Sequence, residues 1–374
     1  MRVVLGKIKV PNKRAFLGGP PMPSIDHGRC CSVRAVAASA LLSAVFALLL
    51  SFAPSRAEEA GAWLKGQTVH FIVGYSPGGG YDTYARMMAP FFEKRTGATV
   101  VVENKPGGGG MTALNQLVRG VPDGLTMQVL NGESAIMWQL VKQTGVAYDM
   151  TKVSLLGRIQ QEPHFFLVNP KLPDSLKDIV TPGATLKFTA TRRIDNLGDY
   201  AAVLCQALHM NCQIITGYKG SKEASLAVMN GEADALTISE SSGYNYAQGG
   251  RTKIVATIGH KRSELMPNMP TIYEMFQMQP GDRWWIDFRL SVKAIGRCLV
   301  GPPGIPADRL AHLQKVWKDV LTDPALIAEG KKTHHEFDYQ SADKMKPIVR
   351  DLLETLPAEK LEEVREVLVK KFAS

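Results

Sequence analysis

Short apolar runs alternate with amphipathic helical patterns along this chain, and glycine-rich joints separate them; no other feature narrows the fold so far. Residues 69–74 read as a strand. Residues 82–95 place Tyr84, Met87, Met88, Phe91 and Phe92 at helical spacing, with Pro90 expected to kink the helix. A strand at 99–103, a helix at 111–119, a strand at 126–130 and a helix at 134–143 follow. Such alternation builds βαβ units on a parallel sheet and sets ligand-facing loops at the carboxyl ends of the strands. Here those loops are residues 75–80, 104–110 and 131–133.

After Gln160-Gln161-Glu162-Pro163 the pattern starts afresh, with strands at 165–168, 187–191, 213–216, 235–239 and 253–257 and helices at 198–209 and 221–230. Its polar loops are 189–196, 218–221 and 239–242. From Pro302-Pro303-Gly304-Ile305-Pro306 the chain enters a helical tail, in which Leu310, Leu313, Val316 and Val320, then Leu352, Leu356, Leu361, Val364 and Leu368, mark packing faces.

An opening segment stands apart from this pattern. Residues 35–53 are uncharged and apolar, preceded by Arg2, Lys7, Lys9, Lys13, Arg14, Arg29 and Arg34 against Asp26 alone, and Ser55-Arg56-Ala57 offers a small-x-Ala cleavage site. That is the form of a signal peptide over residues 1–57, cut before Glu58. The run is also long enough to act as a membrane anchor, the alternative. A start at Met22 would give a more ordinary leader; Lys13-Arg14 lacks the second arginine of a twin-arginine signal, and Cys30 and Cys31 precede the apolar run, where neither can serve as a lipid anchor. The formal charge of +9 over 374 residues belongs largely to this leader. The nearly neutral remainder has no basic block for nucleic acid, and its length suggests two domains.

Gly74-Tyr75-Ser76-Pro77-Gly78 matches the GxSxG nucleophile elbow between a strand and a helix. The elbow's oxyanion hole needs the backbone N–H after the serine, and Pro77 has none, which argues against a hydrolase pairing Ser76 with His334 or His335. Read as an anion cradle, the loop is better matched: Gly78, Gly79 and Gly80 let backbone approach a ligand, and the next helix presents its N–H groups and positive dipole end, with Asp82 as cap or ligand for an amine. A turn that binds nothing is the plainer alternative. The second loop, Pro106 to Gly110, lacks the nucleotide-binding patterns, so a small carboxylate is expected and no cofactor.

Cys205, Cys212 and Cys298 lie beyond the leader. Cys205 and Cys212 can form a short-loop disulfide or remain buried thiols, and a metal cluster with His209 has atypical spacing and no fourth ligand. Arg192 and Arg193 fall in a loop where a guanidinium can clamp a carboxylate, or lie solvated at the surface. Trp284 and Trp285 line the cleft or pack beneath a loop.

Residues 65–69 (KGQTV) through 82–86 (DTYAR) strongly resemble the Bug-type (Bordetella uptake gene) solute-binding proteins of tripartite tricarboxylate transporters. The likeness continues through 101–107 (VVENKPG), 122–124 (PDG), 168–170 (VNP), 218–220 (YKG), 231–234 (GEAD) and 267–271. The resemblance implies an α/β, two-domain periplasmic binding protein of the type II, Venus-flytrap kind, each domain a mostly parallel sheet flanked by helices. Residues 58–160 with 281–374 would form one domain and 161–280 the other, with crossings near 158–163 and 275–290. It further implies a monomer that captures a small organic anion between the domains and delivers it to an integral-membrane permease, without catalysis. The family's carboxylate-holding loops fall here on Ser76, Pro77, Gly78, Gly79, Gly80 and Asp82, and on 189–196, with Thr191, Arg192 and Asn196. Other strand-end loops add Tyr75, Asn131, Glu133, His164, Tyr218 and Ser239. The chain departs from the family at Arg192-Arg193-Ile194-Asp195, at His164-Phe165 and in the long stretch 281–301. A ligand-sensing subunit for a membrane receptor, and a secreted hydrolase using Ser76, are the rival readings.

Overall fold

The computed structural model describes residues 61–372 apart from Pro182, and the expected leader lies outside the described residues. Two mixed sheets carry the fold. The first has strand order β11-β4-β10-β3-β1-β2. It comprises β1 (Thr68–Val73), β2 (Thr99–Asn104), β3 (Thr126–Asn131), β4 (Ser154–Gln160), β10 (Arg297–Gly301) and β11 (Gln340–Ser341). The second, ordered β7-β6-β8-β5-β9, comprises β5 (His164–Val168), β6 (Thr185–Thr189), β7 (Asn211–Ile215), β8 (Ala235–Ser239) and β9 (Lys253–Ile258).

Helices cover the sheets. The principal ones are α1 (Gly80–Thr96), α2 (Met111–Leu117), α3 (Gly132–Leu140), α4 (Gly198–Ala207), α5 (Ser221–Asn230), α6 (Glu240–Ala247) and α7 (Pro280–Val292), then α8 (Ala307–Leu321), α9 (Pro324–Lys332), α10 (Ala342–Glu354) and α11 (Ala358–Arg365). Helix α1 runs unbroken through Pro90, which sits on its exposed face where the carbonyl left without an N–H partner can meet water.

The strands expected from alternation are present within a few residues, but each sheet is mixed rather than mostly parallel. Helical crossovers make β1–β2, β1–β3, β6–β7 and β6–β8 parallel. Strands β10 and β5 run antiparallel to both their neighbours. Both follow a passage of the chain between sheets, residues 161–163 before β5 and α7 before β10, and such a passage brings the chain back in from the edge where β3, β4 and β8 finish. Strands β4 and β10 are absent from the sequence reading, because every residue of both is buried and neither alternates in polarity. In β4 two polar members are met internally, Ser154 donating to the Pro302 carbonyl at 2.6 Å and Arg158 to that of Ala294 at 2.8 Å.

This topology sets strand starts beside strand ends. Arg297, first in β10, pairs in register with Asn131 and Gln160, the last residues of β3 and β4. His164, first in β5, stands opposite Ser239 and Ile258 at the ends of β8 and β9. The core beneath is aromatic and aliphatic, with Phe71 edge-on to Phe92 and Trp317 in the first lobe and Phe166 edge-on to Phe188 in the second. In the helical tail Leu313, Val316, Val320, Val364 and Leu368 are buried as the spacing required. Cys205 and Cys212 form a disulfide from α4 to β7, while His209 faces Asp282 at 3.1 Å. Trp284 and Trp285 pack on α7, Trp284 stacked on Phe288, and neither reaches the cavity described next.

Candidate functional site

Between the strand ends of the two sheets lies a cavity of about 40 Å³. Its walls are largely helix beginnings. Gly79, Asn131, Leu197 and Ser239 are the N-cap residues of α1, α3, α4 and α6, Ser221 opens α5, and all five line it. Each helix start carries backbone N–H groups without intrahelical partners and the positive end of the peptide dipoles, so their convergence makes the space attractive to an anion. Asn131 spends its own side chain on this framework: its Oδ1 accepts from the Ser134 N–H at 3.1 Å and its Nδ2 donates to the Tyr75 hydroxyl at 3.1 Å.

Arg297 brings a full positive charge to the same wall. The residue is 4% exposed, and its guanidinium carbon lies 4.3 Å from the ring centroids of both Tyr81 and Tyr84. Those contacts cover the π faces of the group and leave its N–H edge as the binding edge. Nε and Nη1 have no hydrogen-bond partner, and the nearest carboxylate contact is Glu162, at 3.6 Å from Nη1. Burial opposes the charge, but Tyr81, Glu162 and Tyr84 outweigh it and hold the Arg297 pKa above its ordinary value. His164 faces the cavity from the second sheet, stacked on Tyr200 at 4.1 Å, with neither ring nitrogen partnered. Burial, reinforced by Arg289, Lys293 and Arg297, keeps its pKa well below the usual range, so the imidazole is neutral at pH 7.

The lobes meet around this space. Arg289 of α7 is fully buried, donates to Glu133 of α3 and to Asp199 of α4 at 2.7 Å each, reaches Asn196 at 3.1 Å, and lies over the Tyr200 ring at 3.9 Å. It therefore ties one lobe to the other. The Ser76 N–H donates to the Lys219 carbonyl at 3.1 Å, Ser134 to Asn196 at 3.2 Å, and Trp138 to the Ile194 carbonyl.

Of the candidates named from sequence, Tyr75, Gly79, Gly80, Asn131, His164, Asn196 and Ser239 line the cavity. The others lie elsewhere. Pro77 and Gly78 are exposed at the loop tip, and Ser76 is half-buried in the lobe interface. Asp82 is consumed locally, accepting from the Gly78 N–H at 2.8 Å and from Arg86 at 2.9 Å, and so holds the glycine loop in shape. Glu133 is bound to Arg289, and Tyr218 packs against the apolar core. Thr191 bonds Asp195, and Arg192 donates to the Gly108 carbonyl at 3.2 Å, so that loop clasps the second glycine-rich loop from a separate surface depression. Ser221 and Ser242 fall in the strand-end loops 218–221 and 239–242 expected from sequence, whereas Tyr81, Leu197, Ile238 and above all Arg297 were passed over. The one available signal was a lone arginine opening an apolar run, Arg297-Cys298-Leu299-Val300.

Two mixed α/β lobes with helix N-termini converging on an interlobe cavity define the two-domain fold of periplasmic binding proteins. Residues 84–357 match the tripartite tricarboxylate transporter family receptor, and the chain belongs to that family. It is 24% identical over 242 residues to BugT of Bordetella pertussis, covering 63% of this chain and 73% of that protein. The fold resembles the periplasmic binding protein BugD with a TM-score of 0.68 at 20% identity, over 80% of this chain and 97% of BugD. It also resembles MatC of Rhodopseudomonas palustris with bound malate, with a TM-score of 0.62 at 17% identity over 80% and 98%, and an R. palustris protein with adipate, at 0.67 and 18% over 81% and 97%.

Proposed function

We propose that this protein is an extracytoplasmic solute-binding protein that closes its two lobes on a small organic anion, a carboxylate, and delivers it to a membrane permease. The observation that carries the reading is Arg297: a buried guanidinium on the cavity wall whose Nε and Nη1 have no hydrogen-bond partner. Glu162, at 3.6 Å from Nη1, offsets the charge without filling these donors, and buried open donors are costly until an acceptor completes them. The malate and adipate held by the R. palustris proteins support a carboxylate as that anion.

Residues 58–160 with 281–374 form one lobe and 161–280 the other, a division supported by the sheet membership of the strands. The ligand is held by Arg297, the α1 start at Gly79 and Gly80, Asn131, His164, Asn196 and Ser239. The protein acts as a monomer without catalysis; the Ser76 hydroxyl stands against Gly220, and Pro77 removes the donor a serine hydrolase requires. Residues 1–57 direct export and are removed. Among the described residues no helix is long and apolar enough to cross a membrane.

Thermal-shift measurement against a carboxylate panel tests the reading. Ligand at 100 times its dissociation constant stabilises the native state by about 2.7 kcal/mol. A saturable rise in melting temperature, abolished in Arg297→Gln, is the expected result; equal shifts in wild type and Arg297→Gln refute it.

A further inference from the structure

The side-chain charge at the cavity is one-sided. On the first lobe, α1 begins at Gly79 without a side-chain cap, beside the open edge of Arg297. On the second, two of the three helix starts at the cavity are already answered by the protein's own carboxylates, while α5 opens at Ser221 without a side-chain cap. Asp195 accepts from the Leu197 and Gly198 N–H groups at the start of α4, at 3.0 and 2.7 Å, and Glu162 accepts from the Ser241 N–H at the start of α6 at 2.9 Å. Arg297 is the one charged side chain among the thirteen residues lining the cavity. The other buried guanidinium nearby, Arg289, is committed to Glu133 and Asp199.

Opposite Arg297 the wall is neutral. His164 offers one ring N–H and one lone pair, both without a partner. Leu197 and Ile238 supply apolar surface, and Asn196, Ser221, Ser239 and Ser242 neutral polar groups. The space is small, about 40 Å³.

From this asymmetry we propose that the site selects a compact 2-hydroxy monocarboxylate, its carboxylate on Arg297 and the α1 start, its hydroxyl on His164, and that it discriminates against dicarboxylates. The inference rests on the carboxylate-binding reading above and narrows it. A second carboxylate would enter the second-lobe half of the cavity with no cation of that lobe to meet it and with Asp195 behind the wall. Burying a charge without a counter-ion is far more costly than burying a hydroxyl with a partner.

Lactate and malate make a matched pair, since malate is lactate with a second carboxylate on its methyl carbon. Isothermal titration of the purified protein with glycolate, lactate, 2-hydroxybutyrate, malate and adipate is the test. At least one of the three monocarboxylates is expected to bind a hundredfold or more tighter than malate and adipate, and propionate to bind at least tenfold weaker than lactate. In His164→Phe the preference for lactate over propionate should vanish while propionate binding persists. Malate or adipate binding as tightly as the best monocarboxylate overturns this proposal and leaves the carboxylate reading standing. Lactate and propionate binding equally to wild type overturns the hydroxyl assignment. Failure of every acid overturns both readings together.

Discussion

Removing Arg289 isolates the energetics of lobe contact, because the change to methionine keeps the unbranched stem while deleting the charge. Arg289 and Asp199 are fully buried and Glu133 is 6% exposed, so the variant leaves two carboxylates facing each other without a cation. Breaking a buried pair by deleting one partner costs about 3–5 kcal/mol. At about 2–4 °C per kcal/mol for chains of roughly this size, the melting midpoint should fall by at least ~6 °C. The pH dependence supplies a second readout. Burial raises the Asp199 carboxyl to about 7 even with Arg289 present. A carboxyl raised in the folded state favours folding below its unfolded pKa and loses that advantage as pH rises through the folded value. Arg289→Met should raise it further, so the deficit should be largest near pH 8 and shrink toward pH 5. Urea unfolding of wild type, Arg289→Met and Arg289→Met/Asp199→Asn/Glu133→Gln at both pH values is the assay, and the triple variant should recover most of the loss. A deficit below about 1 kcal/mol, well under the cost of orphaning a buried charge, or one that grows toward acid, refutes the argument.

Burial, opposed by a bond to Ser263 and reinforced by Glu162 and Glu336, pushes the Glu240 carboxyl up to about 8. The stability this group contributes is intact below about pH 4.5, the ordinary glutamate value, and declines as pH rises through 8, so Glu240→Gln should gain on wild type progressively between pH 5 and 9 in urea titrations. A Cβ on Gly220 would stand 2.8 Å from the Ser76 hydroxyl across the lobe interface. Gly220→Ala is therefore expected to weaken ligand binding about tenfold, the equivalent of 1.4 kcal/mol of impeded closure, with circular dichroism unchanged. Changing both Cys205 and Cys212 to alanine opens a loop of separation 7 and should cost about 2–3 kcal/mol on the chain-entropy account, read as a lower urea midpoint.

Much of the architecture was legible because helical and strand periods are local properties. The helix at 221–230 and the strand at 235–239 agree with the structure to the residue, and the glycine loop after β1 does end in a helix start at the cavity. The misplacements have one origin. Asp82 and Arg192 were named for their chemistry, but whether a charged side chain meets a ligand depends on what else it can reach, and both find partners within the protein. Arg297 was passed over for the converse reason: it opens a fully buried strand with no polar alternation, in a stretch whose place in the first sheet follows from the chain's return out of the second.

The sequence by itself determined most of the elements and their order, the restart of the pattern after Pro163 and the family resemblance, since each is carried by residues near one another along the chain. The tertiary structure decided which strand ends share an edge, and therefore which side chains share the cavity. Antiparallel insertion of β5 and β10 brings His164 and Arg297, 133 positions apart, onto the wall of one small space. Their unpartnered donors arise only there, because burial removes water and the packing around them supplies no replacement.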